Sequence, residues 1–184
     1  MTMHLELGLT MLRTSRPKKR KKMTQAKLEK YEQQMRQYNK DMRKWGLPHQ
    51  QLNLKEYIDL LRWAEGLIFI FPTWMYGPPA ILKGWLERVW LPKVAFEISS
   101  GKQNIPMGKL KNISRLCVVT TSGSPRWWLW FIGNPGKSML FKGYKILFNK
   151  YCKYKWLQLH DMNHTNSLDR ERFLKKVSNY FSSI

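Results

Sequence analysis

The chain has 184 residues, 43% of them hydrophobic, and carries 33 Lys and Arg against 12 Asp and Glu, for a formal charge of +21. That is one domain's worth of chain with apolar content enough for a substantial core. No apolar run approaches the ~18 residues a membrane span needs, and Glu6 and Arg13 interrupt the one stretch that could serve as a signal-peptide core. Two cysteines, Cys117 and Cys152, are too few for a disulfide framework; Cys117, inside a predicted buried strand, is expected to be a reduced core thiol, and a cytoplasmic home follows. The positive charge is uneven. Residues 1–50 hold 13 Lys/Arg and 4 Asp/Glu, residues 51–100 hold 5 of each, and residues 101–184 hold 15 and 3. Such a surface suits nucleic acid, anionic lipid or a phosphate-bearing ligand, and equally the general drift of a basic proteome.

Residues 1–22 read as an irregular segment, with a possible short strand in MHLELGL. The run Arg16-Pro17-Lys18-Lys19-Arg20-Lys21-Lys22 repels itself and belongs in solvent. Residues 24–45 are rich in helix formers, with Thr24 as N-cap candidate and a weak apolar stripe at Leu28, Tyr31, Met35, Tyr38 and Met42. A second helix is expected over 54–65. Leu67–Phe71 is a continuous apolar run of strand length, as in a strand buried on both faces. A helix then runs from Pro79 to about Trp90 and stops at Pro92, and residues 99–112 form a loop. Arg115–Val119 is a second buried strand, 137–151 a helix, Lys155–His160 a third strand and Asp169–Phe181 a closing helix. Strand and helix alternate, which predicts a parallel sheet with right-handed crossovers. Residues 23–184 make up this domain.

Two loops follow predicted strands. In the first, Pro72 ends the ladder because it has no N–H, and Thr73, Trp74, Met75 and Tyr76 must turn outward. Trp74 and Tyr76 offer faces on which a planar heteroaromatic ring can stack, and the loop backbone offers N–H groups for its edge. The following helix points its positive end into this loop. A tightly packed corner with surface aromatics accounts for the same residues. The second loop, Thr120-Thr121-Ser122-Gly123-Ser124, supplies hydroxyls and close backbone approach, and also reads as an ordinary Ser/Gly turn. A parallel sheet would bring both to one crevice at its carboxyl edge. Trp127, Trp128, Trp130 and Phe131 form a dense aromatic patch, fit to cap that crevice, to bind a flat substrate or to seat a partner subunit. The four histidines show no metal-ligand spacing.

The segments PTWMYGPPAILKGWLERV (72–89) and VVTTSGSPRWW (118–128) resemble the two flavin-loop motifs of the flavodoxin-like NAD(P)H dehydrogenase (quinone) family. The helix around KGYKILFNKY and the LHDMN segment at Leu159–Asn163 resemble further parts of its short bacterial members. The resemblance covers residues from about Met23 to the end. It implies a flavodoxin-like open parallel sheet with helices on both faces and a bound FMN or FAD. The flavin ring would lie between Pro72, Thr73, Trp74, Met75 and Tyr76 on one side and Thr120, Thr121, Ser122, Gly123 and Ser124 on the other. It also implies ping-pong chemistry, in which NAD(P)H gives a hydride to flavin N5 and leaves before a quinone-like acceptor binds, in a homodimer without stable membrane insertion.

Two departures are visible. The places where such reductases carry an assisting Tyr and His fall near Trp128 and Asn134, which cannot shuttle a proton in the same way. The opening strand and the loop that holds the flavin phosphate at a helix N-terminus have no counterpart in residues 1–22. In a sheet of order 2-1-3-4-5 that strand is central, so strand three is expected to present an unpaired edge and half of the cofactor grip to be absent, as in a truncated product. Three functions follow: a flavin-dependent oxidoreductase; a non-catalytic remnant of that fold acting as an interaction protein; and a basic nucleic-acid binder using residues 16–22 and the carboxyl-terminal lysines.

Overall fold

The computed structural model describes residues 2–5, 9–12, 29, 33, 54–98 and 106–183. The elements below lie in one unit, formed by Met1–Thr14 and Lys55–Ile184. The helix expected over 24–45 and the basic run 16–22 lie outside the described residues, apart from Glu29 and Gln33, both helical.

Strands β1 (Thr2–Leu5), β2 (Leu9–Leu12), β3 (Gly66–Pro72), β6 (Arg115–Thr121) and β7 (Lys153–Leu159) form one sheet in the order β1-β2-β3-β6-β7. The last three are parallel, in register from Gly66↔Arg115 to Pro72↔Thr121 and from Arg115↔Lys153 to Thr121↔Leu159. Their connections carry the helices α2 (Ala80–Val89), α3 (Arg126–Phe131) and α4 (Pro135–Ser138). The predicted alternation and parallel sheet are therefore present; β3 and β6 are each two residues longer than expected, and β7 starts two residues earlier than expected and ends one earlier, which leaves His160 outside it.

Two expectations are corrected at the amino end. Residues 1–22 are not wholly irregular, because β1 and β2 pair antiparallel from Thr2↔Leu12 to Leu5↔Leu9. Nor is the edge of β3 unpaired. Strand β2 runs antiparallel to it, from Leu9↔Phe69 to Leu12↔Gly66, and satisfies backbone groups that would otherwise face water or another chain.

Alternation along the strands sends Leu67, Phe69, Leu116 and Val118 to one face of the sheet. There α1 (Leu54–Trp63) contributes Ile58 and Leu61, and α2 contributes Leu82, Trp85, Leu86 and Val89, all buried. An aromatic cluster knits this layer. Trp85 meets Tyr57, Phe69 and Trp90 at centroid separations of 6.1, 6.4 and 6.3 Å, and Trp90 meets Phe148 at 5.7 Å. On the opposite face Ile68, Cys117 and Leu157 are covered by Phe173, Val177, Tyr180 and Phe181 of α5 (Ser167–Ser182). Helix α5 starts with a capping box between Asn166 and Asp169. Its cover stops short of Ile70, which is 49% exposed although the apolar run predicts burial on both faces.

The expected 137–151 helix breaks into α4, a π-helical stretch Met139–Gly143 and a 3₁₀ turn Lys145–Leu147. Tertiary donors explain the break. The Lys111 ammonium donates to the carbonyls of Ile146 and Phe148, and Leu110 N–H donates to that of Leu147. The expected 99–112 loop contains β5 (Pro106–Gly108), which pairs with β4 (Phe96–Ile98) in a separate two-stranded sheet. No described helix is long and apolar enough to cross a membrane.

Both cysteines are free and buried. Burial pushes the Cys117 thiol up to about 12 and raises Cys152 as well. At about pH 8 neither is a thiolate, so alkylation by iodoacetamide is expected to leave the native chain unlabelled and to add two groups once it is denatured. Intact-mass spectrometry reads the difference, and full labelling of native Cys117 would contradict its burial.

Candidate functional site

Parallel pairing of β3 and β6 puts their carboxyl ends side by side, and the chain uses that adjacency. Thr73 N–H donates to the Thr121 carbonyl at 2.8 Å, carrying the ladder one step past Pro72. The hydroxyls of Thr73 and Thr120 share a hydrogen bond of 3.0 Å. The first loop then reverses tightly. Trp74 N–H donates to Gly77 O at 2.9 Å and Gly77 N–H to Trp74 O at 2.7 Å, with Met75 at φ 41° and Tyr76 at φ 66°. Positive φ at both central residues is the geometry of a type I′ turn, which normally selects Asn and Gly. Holding Met and Tyr there costs roughly 1–2 kcal/mol per residue. Trp74 and Met75 stand outward, at 67% and 90% exposure.

A helix turn braces this reversal from behind. Gly136 N–H donates to the Tyr76 carbonyl at 2.9 Å, and a Cβ on Gly136 would lie 2.7 Å from that oxygen. Trp128 Nε1 donates to the Tyr76 hydroxyl at 3.1 Å, and the Trp128 ring lies 5.7 Å from that of Phe131. Asn134 is the N-cap of α4, in a left-handed conformation, with its side-chain oxygen accepting from Lys137 N–H. Trp128 and Asn134 thus hold structure: one anchors Tyr76 and the other caps a helix.

The second loop departs from expectation in a useful way. Thr120 and Thr121 belong to β6, and Thr120 and Ser122 are 2% and 5% exposed. The Thr120 hydroxyl is bonded to Thr73, and the Ser122 hydroxyl donates to the Ser124 carbonyl at 3.0 Å. Both hydroxyls are thus engaged within the loops and help to set their shape. Ser122 also ties in a third loop, since its N–H donates to Leu159 O, its carbonyl accepts from Met162 N–H, and Ser124 O accepts from Asp161 N–H. Among the described residues, the N–H groups of Met75, Tyr76, Gly123 and Ser124 enter no hydrogen bond. Four free backbone donors and two aromatic faces, Trp74 and Tyr76, are what the edge and the plane of a heteroaromatic ring require, so the residues present fit such a group.

Beside these loops a groove of about 430 Å³ crosses the strand ends, walled by Ile70, Pro72, Val119, Thr121 and Met162, with Arg170 of α5 on its wall. Sequence reasoning missed Arg170 and Gly136 and reached Met162 only within the LHDMN segment; for Gly136 the local signal was the turn-forming Asn134-Pro135-Gly136.

A family described as having a flavodoxin-like fold matches residues 16–183 of the chain. Among solved structures, Smu.1420 from Streptococcus mutans is similar with a TM-score of 0.61 and 32% identity, over 72% of this chain and 67% of that one. Among curated proteins, human ribosyldihydronicotinamide dehydrogenase (quinone) is 32% identical over 99 residues, 47% of this chain and 41% of that protein. The FMN-dependent NADH:quinone oxidoreductase of Mycoplasmopsis synoviae is 30% identical over 76 residues, 41% of this chain and 38% of that protein. The chain spans less than half the length of these curated relatives.

Proposed function

Since the chain belongs to the family with a flavodoxin-like fold, we propose that it is a flavin-dependent NAD(P)H oxidoreductase that passes reducing equivalents to a quinone-like acceptor in a ping-pong exchange. The observation that carries the reading is the joining of two loops at the carboxyl ends of adjacent parallel strands, by the Thr73–Thr121 and Thr73–Thr120 hydrogen bonds. The flavin, FMN by analogy with the M. synoviae relative, would supply the hydride acceptor and donor. Pro72, Trp74, Met75 and Tyr76 would hold one side of its ring, and Thr121, Gly123 and Ser124 the other. Thr73, Thr120 and Ser122 fix the spacing between the two. Trp128 orients Tyr76 through its hydroxyl, and Arg170 places a cation on the wall of the strand-end groove. The exposed Trp127 and Phe131 would pack against a second copy of the chain, in a cytoplasmic dimer.

Titration with FMN tests the reading. The expected result is a yellow complex of one FMN per chain with quenched flavin fluorescence. Trp74→Ala is expected to weaken it by about 1–3 kcal/mol, the worth of one aromatic stacking contact. A chain that takes up neither FMN nor FAD is the non-catalytic remnant instead.

A further inference from the structure

A second cleft, of about 630 Å³, opens beyond the β7 edge of the sheet, and the ring-binding loops do not use it. Among the described residues, its walls carry four cations, Arg126, Lys137, Lys142 and Lys176, and no acidic side chain. These come from four different segments: the start of α3, α4, the π-helical stretch and α5. Sequence-local repulsion therefore does not spread them apart, and the fold itself gathers like charges around one space. Between them stand the rings of Trp130, Phe141 and Trp156, with Trp130 82% exposed. Phe141 and Trp156 already meet edge to face at 5.5 Å, which leaves a ring face to offer rather than a gap to close.

His160 adds an independent sign of a missing partner. Its Nδ1 is buried and has no hydrogen-bond partner, although it belongs to the cleft wall. Burial, and next the charges of Arg126 and Lys176, hold this imidazole below its ordinary value, so the ring is neutral at physiological pH and keeps one donor and one acceptor nitrogen. Cations with no counter-charge, aromatic faces and an unsatisfied neutral imidazole together describe a site for a phosphorylated aromatic, that is, a nucleotide.

The cleft is joined to the ring site through the chain. Arg126 follows the Thr120–Ser124 segment by two residues, and His160 follows the end of β7, whose Leu159 carbonyl accepts from Ser122 N–H. We propose that this cleft holds the adenosine end of the nicotinamide cosubstrate, with its 2′-phosphate among the lysines, so that NADPH is taken in preference to NADH. The inference rests on the oxidoreductase reading given above. A dianionic phosphate adds what NADH lacks where cations already stand close together, and Lys and Arg pair with phosphate through charge-assisted hydrogen bonds.

Isothermal titration of the full chain with 2′,5′-ADP and with 5′-AMP isolates this end of the cosubstrate from any hydride transfer. The expected result is 2′,5′-ADP binding on the order of tenfold more tightly, a difference of about 1.4 kcal/mol. That preference should shrink as salt rises and vanish in the Lys142→Glu/Lys176→Glu double variant. Both lysines are exposed, and the neutral pair Lys142→Gln/Lys176→Gln, expected to lose most of the preference, guards against an effect of charge reversal on folding. Equal affinities for the two nucleotides, or a preference that survives both double variants, would overturn the proposal. A short single-stranded oligonucleotide that outcompetes 2′,5′-ADP through the same lysines would also overturn it, in favour of a nucleic-acid surface. FMN uptake is read separately. A chain that takes up FMN without phosphate preference loses this inference alone, and one that prefers 2′,5′-ADP but takes up no flavin loses the oxidoreductase reading alone.

Discussion

Replacing Trp85 by alanine is expected to lower the stability of this protein by about 3–5 kcal/mol, a large part of the roughly 5–15 kcal/mol that holds a domain folded. Trp85 is 1% exposed and meets three other aromatic rings edge to face or nearly so. Truncation removes the transfer free energy of an indole, the ring contacts and the packing that Tyr57, Phe69 and Trp90 give one another across it. The indole Nε1 has no hydrogen-bond partner, so no polar group is orphaned by the change and the whole effect is packing. Urea unfolding followed by far-UV circular dichroism measures it. Trp85→Phe, which keeps a ring, should lose much less. A loss below about 1 kcal/mol for Trp85→Ala would show that the α1–α2 layer re-forms around the hole.

The second large effect is expected at Gly136. Alanine there puts a Cβ 2.7 Å from the Tyr76 carbonyl and 3.3 Å from the Gly77 Cα, and both neighbours are backbone. Neither can move aside as a flexible side chain would. Relief requires either the first loop or α4 to shift, and either shift stretches the hydrogen bond from Gly136 N–H to Tyr76 O. We expect a stability loss of about 1–3 kcal/mol. We also expect at least a tenfold loss of FMN affinity, since Trp74 and Tyr76 are carried by the displaced turn. Gly84 is the matched control. It lies inside α2, and a Cβ there meets no atom within 4 Å. Gly84→Ala should therefore stabilise the protein by about 0.5–1 kcal/mol through helix propensity and leave FMN binding unaltered. Equal effects of the two substitutions on FMN affinity would break the link between α4 and the loop.

The parallel core was legible because its signal is local. LIFIF and, after Arg115, LCVV are apolar without interruption, as central parallel strands must be. Strand ends were less visible: Thr120 and Thr121 are polar, and composition places them in a loop, yet their β-branched backbones continue β6. What failed was whatever depends on partners distant in sequence. The antiparallel edge at Leu9–Leu12 exists by pairing with residues beyond 65, and periodicity carries no information on that. The 137–151 stretch has the composition of a helix, and Lys111 and Leu110 take carbonyls that a helix would have used.

In the candidate site the same division holds. The aromatic loop and its Thr/Ser/Gly neighbour could be found by residue type at strand ends. The assignment of duties within them could not. Thr120 and Ser122 look like ligand-facing hydroxyls until Thr73 and Ser124 are seen to occupy them. Trp128 looks like a surface aromatic until its N–H is found on Tyr76, 52 positions away.

The distribution of indoles gives the protein two built-in optical reporters. Trp85 and Trp90 lie in the dry α1–α2 layer, so their emission is blue-shifted while the fold stands and moves red when it opens. Trp74, Trp127 and Trp130 stand in water around the loops and the cationic cleft, at 67, 67 and 82% exposure. Iodide or acrylamide reaches these three without unfolding anything, and a bound ring that accepts excitation energy darkens them first. Quencher titration is therefore expected to tell occupancy from denaturation: a bound ligand shields the exposed indoles Trp74, Trp127 and Trp130 from quencher, and unfolding opens Trp85 and Trp90 to it.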